Sequence, residues 1–194
     1  MRGLVYLHPL IYRTFMRIIY RGQFELRYKK IAELIPDGSV VNDICCGDGY
    51  IYSKYLRSKK VSYHGFDNNP SFIRWLRANG IKSSLLDIYH DPLPSGDILL
   101  LQASLYQFIP EHESLLKKLL ASIHKKIIIS EPITNLSSNK SRLISKFAQW
   151  MSATEKGPCR ERFDREKLME LFAKFGASEV INCGRDIMGV FLIA

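Results

Sequence analysis

The stretch Val40-Val41-Asn42-Asp43-Ile44-Cys45-Cys46-Gly47-Asp48-Gly49-Tyr50 decides the fold. It reads as a buried strand over Ser39 to Ile44, then a tight glycine turn, then a helix from about Tyr50 to Ser58. Glycines in such a turn let a ligand approach bare backbone. In an open α/β sheet, ligands bind beyond the carboxyl ends of the strands, where the strand order reverses. The first strand borders that point, so the site is expected here.

Downstream, strands and helices alternate. A second strand is expected at Val61 to Phe66, then a helix with Asn69 as N-cap and Pro70 at its first position, closing near Gly80. A short third strand follows at Ile81 to Leu86. Two more, Asp97 to Leu101 and Lys126 to Ser130, flank a helix that starts at Glu111 and Glu113 and carries Lys117 and Lys118, the charge order its dipole favours. Leu143, Ile144, Phe147, Trp150 and Met151 predict another helix, an insertion on the substrate side, followed by a polar loop through Gly157 and Pro158. Asp164 caps a helix with Leu168, Leu171, Phe172 and Phe175 on one face and Gly176 at its exit. Glu179 to Cys183 and Asp186 to Ile193 end the chain as a hairpin-like pair of strands. The pattern predicts an α/β, Rossmann-like, doubly wound, mostly parallel sheet of seven strands with helices on both faces.

Upstream, Ile11, Phe15 and Ile18, then Phe24, Tyr28, Ile31 and Ile35, recur at helical spacing around Gly22. Residues 1–36 are therefore read as an N-terminal helical extension that packs on the body or lids its pocket, and residues 37–194 as the ligand-binding domain. Pro36-Asp37-Gly38 supplies the turn between them.

A chain of 194 residues, 46% hydrophobic, has room for one domain with a full core. Its apolar runs are too short to span a bilayer, no secretory signal is expected, and a cytoplasmic location follows as the expectation. Cys45, Cys46, Cys159 and Cys183 form neither a CxxC pair nor a zinc pattern and are read as reduced thiols. The net charge of +9 raises the question of anionic partners, with Arg13, Arg17 and Arg21 on one helical face. A solvated polar face is the plainer reading of those arginines.

Asp43-Ile44-Cys45-Cys46-Gly47-Asp48-Gly49 resembles the acidic-x-Gly-x-Gly-x-Gly first motif of class I S-adenosylmethionine-dependent methyltransferases, with Cys45 where that family usually has its first glycine. The resemblance implies S-adenosyl-L-methionine as cofactor and S-adenosyl-L-homocysteine as product. It assigns Asp43, Cys45, Gly47 and Gly49 to the cofactor turn, and Asp67, in Gly65-Phe66-Asp67-Asn68, to the ribose hydroxyls with Asn68 beside it. It places Asp87 on the adenine amino group, Ile88 against the ring, and Gln102 among the cofactor contacts. A nicotinamide dinucleotide would call for a third glycine where Tyr52 stands, and Asp48 puts negative charge where two phosphates would lie.

The methyl acceptor is less legible. Gln102 to Phe108 occupies the position that adjoins the transferred methyl in the resembling family. The Asn/Asp-Pro-Pro-Tyr motif of DNA adenine and protein glutamine methyltransferases is absent there. Tyr106 and Gln107 are candidates to orient an acceptor, or else to pack and cap a helix. Glu131, in Glu131-Pro132 at the fifth strand's end, is a candidate base or amine ligand, or else half of a buried ion pair with Arg160 or Arg162. His64, His90, His112 and His124 are scattered and receive no catalytic role; no carboxylate cluster suggests a metal site. The expected reaction is methyl transfer to a small-molecule or lipid-like acceptor. Two alternatives stand beside it: RNA methylation using the basic N-terminal helix, and a catalytically silent scaffold built on a cofactor fold.

Overall fold

The computed structural model describes residues 24–122, 124–133 and 162–193. The expected helix over Lys140 to Met151, the loop through Gly157 and Pro158, the face of Arg13, Arg17 and Arg21, and Arg160 all lie outside these residues.

The central strand β1, Val40–Ile44, is flanked by β2, Ser62–Asp67, and β4, Ile98–Gln102, both parallel to it. Beyond β2 lies β3, Ser83–Leu85; beyond β4 lies β5, Lys126–Pro132. The terminal hairpin completes the sheet: β7, Asp186–Leu192, runs antiparallel to β5, and β6, Glu179–Cys183, runs antiparallel to β7. The order is β3-β2-β1-β4-β5-β7-β6, which reverses between β1 and β4. The predicted seven-stranded, mostly parallel sheet is the observed one.

Strand periodicity divides the core into two layers. Ile44, Leu99, Leu101, Ile127 and Ile129 face helices α3, His112–Leu120, and α4, Arg165–Lys174. Val41, Ile98, Leu100 and Ile128 face the opposite layer, formed by α1, Phe24–Glu33, the helical segment after β1, and α2, Pro70–Ala78. The caps read from sequence hold. Asn69 accepts the Ser71 N–H at 3.0 Å and Asp164 accepts the Lys167 N–H at 2.8 Å, each satisfying an otherwise orphaned first-turn donor.

Two boundaries differ from expectation. The third strand is shorter than Ile81 to Leu86 because the Ile81 N–H turns back to the Leu76 carbonyl at the end of α2, at 2.9 Å. The helix expected from Tyr50 to Ser58 is π-helical over Tyr52–Leu56 and 3₁₀ over Arg57–Lys59. Its tyrosines are anchored by tertiary contacts: Tyr52 stacks on Tyr63 at 4.5 Å, and Tyr50 meets the Tyr28 ring edge-on at 4.9 Å.

Helix α1 is bound to the body at both ends. Near its start Glu25 accepts hydrogen bonds from the Tyr50 and Tyr55 hydroxyls, each at 2.9 Å. At its end the Ala32 and Leu34 carbonyls take Lys59 and Lys126 ammonium groups at 2.8 and 3.0 Å, the sign of charge a helix C-terminus favours. Tyr28, Ile31, Ala32 and Ile35 are buried between.

Candidate active site

The site grows from the carboxyl end of β1. Asp43 is wholly buried, and both its oxygens are engaged: Oδ2 accepts from the Tyr63 hydroxyl at 2.8 Å and Oδ1 from the Gln102 amide nitrogen at 3.0 Å. Register explains the second contact. Asp43 pairs with Leu100, and Gln102, two residues further along β4, lies on the same face. Burial pushes the Asp43 carboxyl up to about 7, against the hydrogen bonds from Tyr63 and Gln102 and with the charges of Asp67 and Asp48 adding to the rise.

Past Ile44 the chain enters the turn with Cys45, Gly47 and Gly49 all at positive φ, 57°, 54° and 60°. A Cβ at Gly49 would also lie 2.7 Å from Leu76 Cδ2, so that side chain would have to shift. Cys45 adopts the left-handed backbone despite its side chain, a strain of about 1–2 kcal/mol. Burial is the first cause that raises both the Cys45 and Cys46 thiols, followed by the Asp67 and Asp43 charges, which keeps them protonated.

The turn is tied to β2 through Asp67. Its Oδ2 accepts the Gly47 N–H at 3.0 Å and its Oδ1 the Asn69 N–H at 2.8 Å, so the carboxylate stands half-buried at the strand's end, with exposed Asn68 beside it. Further along this edge Asp87 is exposed and accepts the Tyr89 N–H at 2.9 Å, while Ile88 is buried in the core. Lys118 holds this loop through the Ile88 and Asp91 carbonyls, each at 2.8 Å.

A narrow pocket, with free space of only about 20 Å³, opens at the turn. Of the predicted residues, Cys45, Gly47 and Gln102 line it, whereas Asp43 lies behind Gln102, and Asp67, Asn68, Asp87 and Ile88 lie outside its lining. Sequence reasoning missed the far wall, made by Arg27 and Tyr28 of α1 with Asp48 and Tyr50. Arg27 is buried and pairs with equally buried Asp186 at 3.0 Å, while its other terminal nitrogen donates to the Tyr28 hydroxyl at 2.9 Å. One signal for it was present: Arg27 lies one helical turn before Ile31, inside the apolar stripe.

The other two candidates sit on the opposite sheet face. Glu131 is 0% exposed; its Oε2 accepts the Ser104 and Leu105 N–H groups at 3.1 and 2.8 Å, and its Oε1 has no hydrogen-bond partner. Burial pushes its carboxyl up to about 8, against the Leu105 N–H and the Arg162 charge. Of the two arginines offered as an alternative ion-pair partner of Glu131, Arg160 lies outside the described residues and Arg162 does not pair with it. Arg162 instead sets its guanidinium carbon 3.4 Å from the centre of the Tyr106 ring, because an aromatic face attracts a cation. Tyr106 itself is buried.

A parallel sheet that reverses between β1 and β4 and ends in an antiparallel seventh strand, with a glycine turn leaving β1, is the class I methyltransferase fold. The chain belongs to the MetW family: the family model, described as methionine biosynthesis protein MetW, matches residues 26–163. No curated protein matches it. Among solved structures it is similar to a putative methyltransferase of Haloferax volcanii in complex with the Trm112 methyltransferase activator, at 12% identity and a TM-score of 0.68 over 100% of this chain and 99% of that one. Magnesium protoporphyrin IX methyltransferase of Synechocystis, solved with SAH bound, is similar at 12% identity and a TM-score of 0.65, over 90% of this chain and 85% of that one. An O-methyltransferase family 2 protein of Planctomyces limnophilus, solved with apigenin, is 17% identical with a TM-score of 0.62; 94% of this chain covers 60% of that one. These likenesses establish the fold.

Proposed function

We propose that the protein is an S-adenosylmethionine-dependent methyltransferase acting on a small-molecule or lipid-like acceptor. The observation that carries the reading is the joint between the turn and β2, where Asp67 accepts the Gly47 N–H and so fixes a half-buried carboxylate beside the pocket rim. A carboxylate there suits vicinal hydroxyls of a ribose. The turn itself is acidic, with Asp48 in the pocket lining and Asp43 behind it. Arg27, a cation in that wall, is matched by Asp186. Such a site disfavours a pyrophosphate and favours a ligand that carries positive charge.

The cofactor supplies an already activated methyl group on its sulfonium. The protein's task is then to position an acceptor and exclude water. Tyr106, buried under Arg162, is proposed to shape the acceptor side of the β4 exit. Glu131 is proposed as a positioning residue there, because its two bonds to backbone N–H groups fix Ser104 and Leu105. The acceptor class is supported by the apigenin bound to the Planctomyces protein and the porphyrin substrate named for the Synechocystis enzyme.

Calorimetric titration with S-adenosylmethionine, S-adenosylhomocysteine and NAD tests the cofactor. The expected result is saturable binding of the two adenosyl sulfur ligands alone. Asp67→Ala should weaken that binding by about 1.5–3 kcal/mol, roughly 10- to 150-fold, because charged hydrogen bonds are lost. Binding of NAD, or an unchanged affinity in the variant, would refute the assignment.

A further inference from the structure

We propose that Asn42 and His124 form a pH-sensitive latch on the amino-terminal side of the sheet, closed by a neutral imidazole and opened when that ring takes up a proton. The latch is independent of the cofactor reading, since its partners precede β4 and β5, away from the glycine turn. Asn42, in β1, bridges the segments that lead into those two strands. Its Nδ2 donates to the Ser95 carbonyl at 3.0 Å and meets His124 Nε2 at 3.1 Å. Asn42 is 3% exposed and His124 5%. The amide is closely enclosed as well: a Cβ at Gly96 would lie 2.6 Å from Asn42 Nδ2.

Hydrogen-bond chemistry fixes which ring nitrogen carries the proton. A carbonyl only accepts, so the end of the Asn42 amide at Ser95 must be the nitrogen, and its second N–H is left for His124 Nε2, which must accept. Across the ring the Ser122 hydroxyl donates to the Leu119 carbonyl, so the same oxygen accepts from His124 Nδ1–H at 2.9 Å. His124 is therefore neutral with its proton on Nδ1, whereas a free histidine carries it mostly on Nε2. A second proton, on Nε2, would set N–H against N–H. Turning the amide over would instead set its oxygen against the Ser95 carbonyl. Either way a buried tie between β1 and its neighbours is lost.

The charged groups around the ring do not favour that proton enough to reverse this. Burial lowers the His124 imidazole below its ordinary 6.5, against the charge of Asp97, which raises it. The Asp97 carboxylate is already held by the Val40 N–H at 2.8 Å and the Lys125 ammonium at 2.7 Å. Lys126 is engaged by the Leu34 carbonyl, and His64, the register partner of Asn42 on β2, by the Ser84 hydroxyl. With the folded value below the unfolded one, the latch contributes fully above pH 6.5 and its contribution is lost as the pH falls below that value.

Nitrogen NMR of the imidazole in the full chain is the test. At neutral pH the His124 proton is expected on Nδ1, and on acidification the ring should titrate below 6.5. Asn42→Asp places an acceptor opposite Nε2 and should move that titration above 6.5. In urea unfolding, the folding equilibrium constant of the wild type relative to His124→Gln, which cannot titrate, should fall by up to about tenfold per pH unit below 6.5. A proton found on Nε2 at neutral pH overturns the hydrogen-bond assignment, and a wild-type titration at or above 6.5 overturns the latch, without any variant having to fold. A titration unmoved in folded Asn42→Asp overturns the part given to Asn42, and parallel pH profiles of wild type and His124→Gln overturn the link to stability.

Discussion

Replacing Glu131 with glutamine separates what this carboxyl does by shape from what it does by charge. Burial raises it from 4.5 to about 8, so between these values the folded protein keeps a proton that the unfolded chain has released. Its contribution is therefore most favourable below pH 4.5 and is lost as the pH rises through about 8. At 1.36 kcal/mol per unit, the group lowers stability by about 1 kcal/mol at pH 5, about 3 at pH 7 and nearly 5 at pH 9. Glutamine keeps an oxygen to accept the Ser104 and Leu105 N–H groups but places an NH₂ where Oε1 has no partner. Below pH 8 the protonated wild-type carboxyl carries an unmet O–H donor at the same place, so there the amide differs from it by no more than about 1–3 kcal/mol. The profiles should separate as the pH rises: Glu131→Gln stays within about 2 kcal/mol of wild type at pH 5 and is more stable at pH 9 by about 2–4 kcal/mol. Urea unfolding at the three pH values, with equal denaturant slopes, reads this directly. Parallel wild-type and variant profiles would refute the reasoning, since they would mean that Glu131 binds the same number of protons in both states.

Arg27→Met leaves Asp186 buried without its cation and should cost about 3–5 kcal/mol in urea unfolding, with Arg27→Met/Asp186→Asn recovering part of the loss; an additive double variant would contradict the pairing. Gly65→Ala puts a Cβ 2.8 Å from Cys46 Sγ and 3.2 Å from the Tyr63 hydroxyl and should destabilise by about 1–3 kcal/mol, a loss that Cys46→Ala in the same chain should relieve in part, since the Tyr63 contact remains.

The sheet was legible because its strands announce themselves locally. Apolar runs bounded by turns and the paired caps at Asn69 and Asp164 place nearly every element. The misreadings arose where tertiary contacts override local pattern. Nothing in Tyr50 to Ser58 signals a π-helical turn, because the contacts that anchor it, Tyr63 from β2 and Glu25 from α1, are distant in sequence. The site divides in the same way. The acid positions and the glycine turn are contiguous in the chain, whereas the wall of Arg27 and Tyr28 depends on α1 docking against the start of β7. The stripe position of Arg27 marks it for burial, but nothing near it in the chain names Asp186 as its partner.

The exit of β4 shows why the two most strongly perturbed carboxyls belong to one design. Gln102 is held from one sheet face by Asp43, and Ser104 and Leu105 from the other by Glu131. Between them Ala103 sits at φ 49°, a left-handed backbone that a residue with a side chain adopts only under constraint, and its N–H donates to the Ser130 carbonyl at 2.7 Å. Each acid is fully buried, and burial raises each well above its ordinary range. At neutral pH the two together lower stability by several kcal/mol. Apolar residues at these positions would avoid that penalty, but they would leave the Gln102 amide nitrogen and two buried backbone donors without acceptors. The same contacts set the backbone of the β4 exit beside the glycine turn, where Gln102, Cys45 and Gly47 line one pocket.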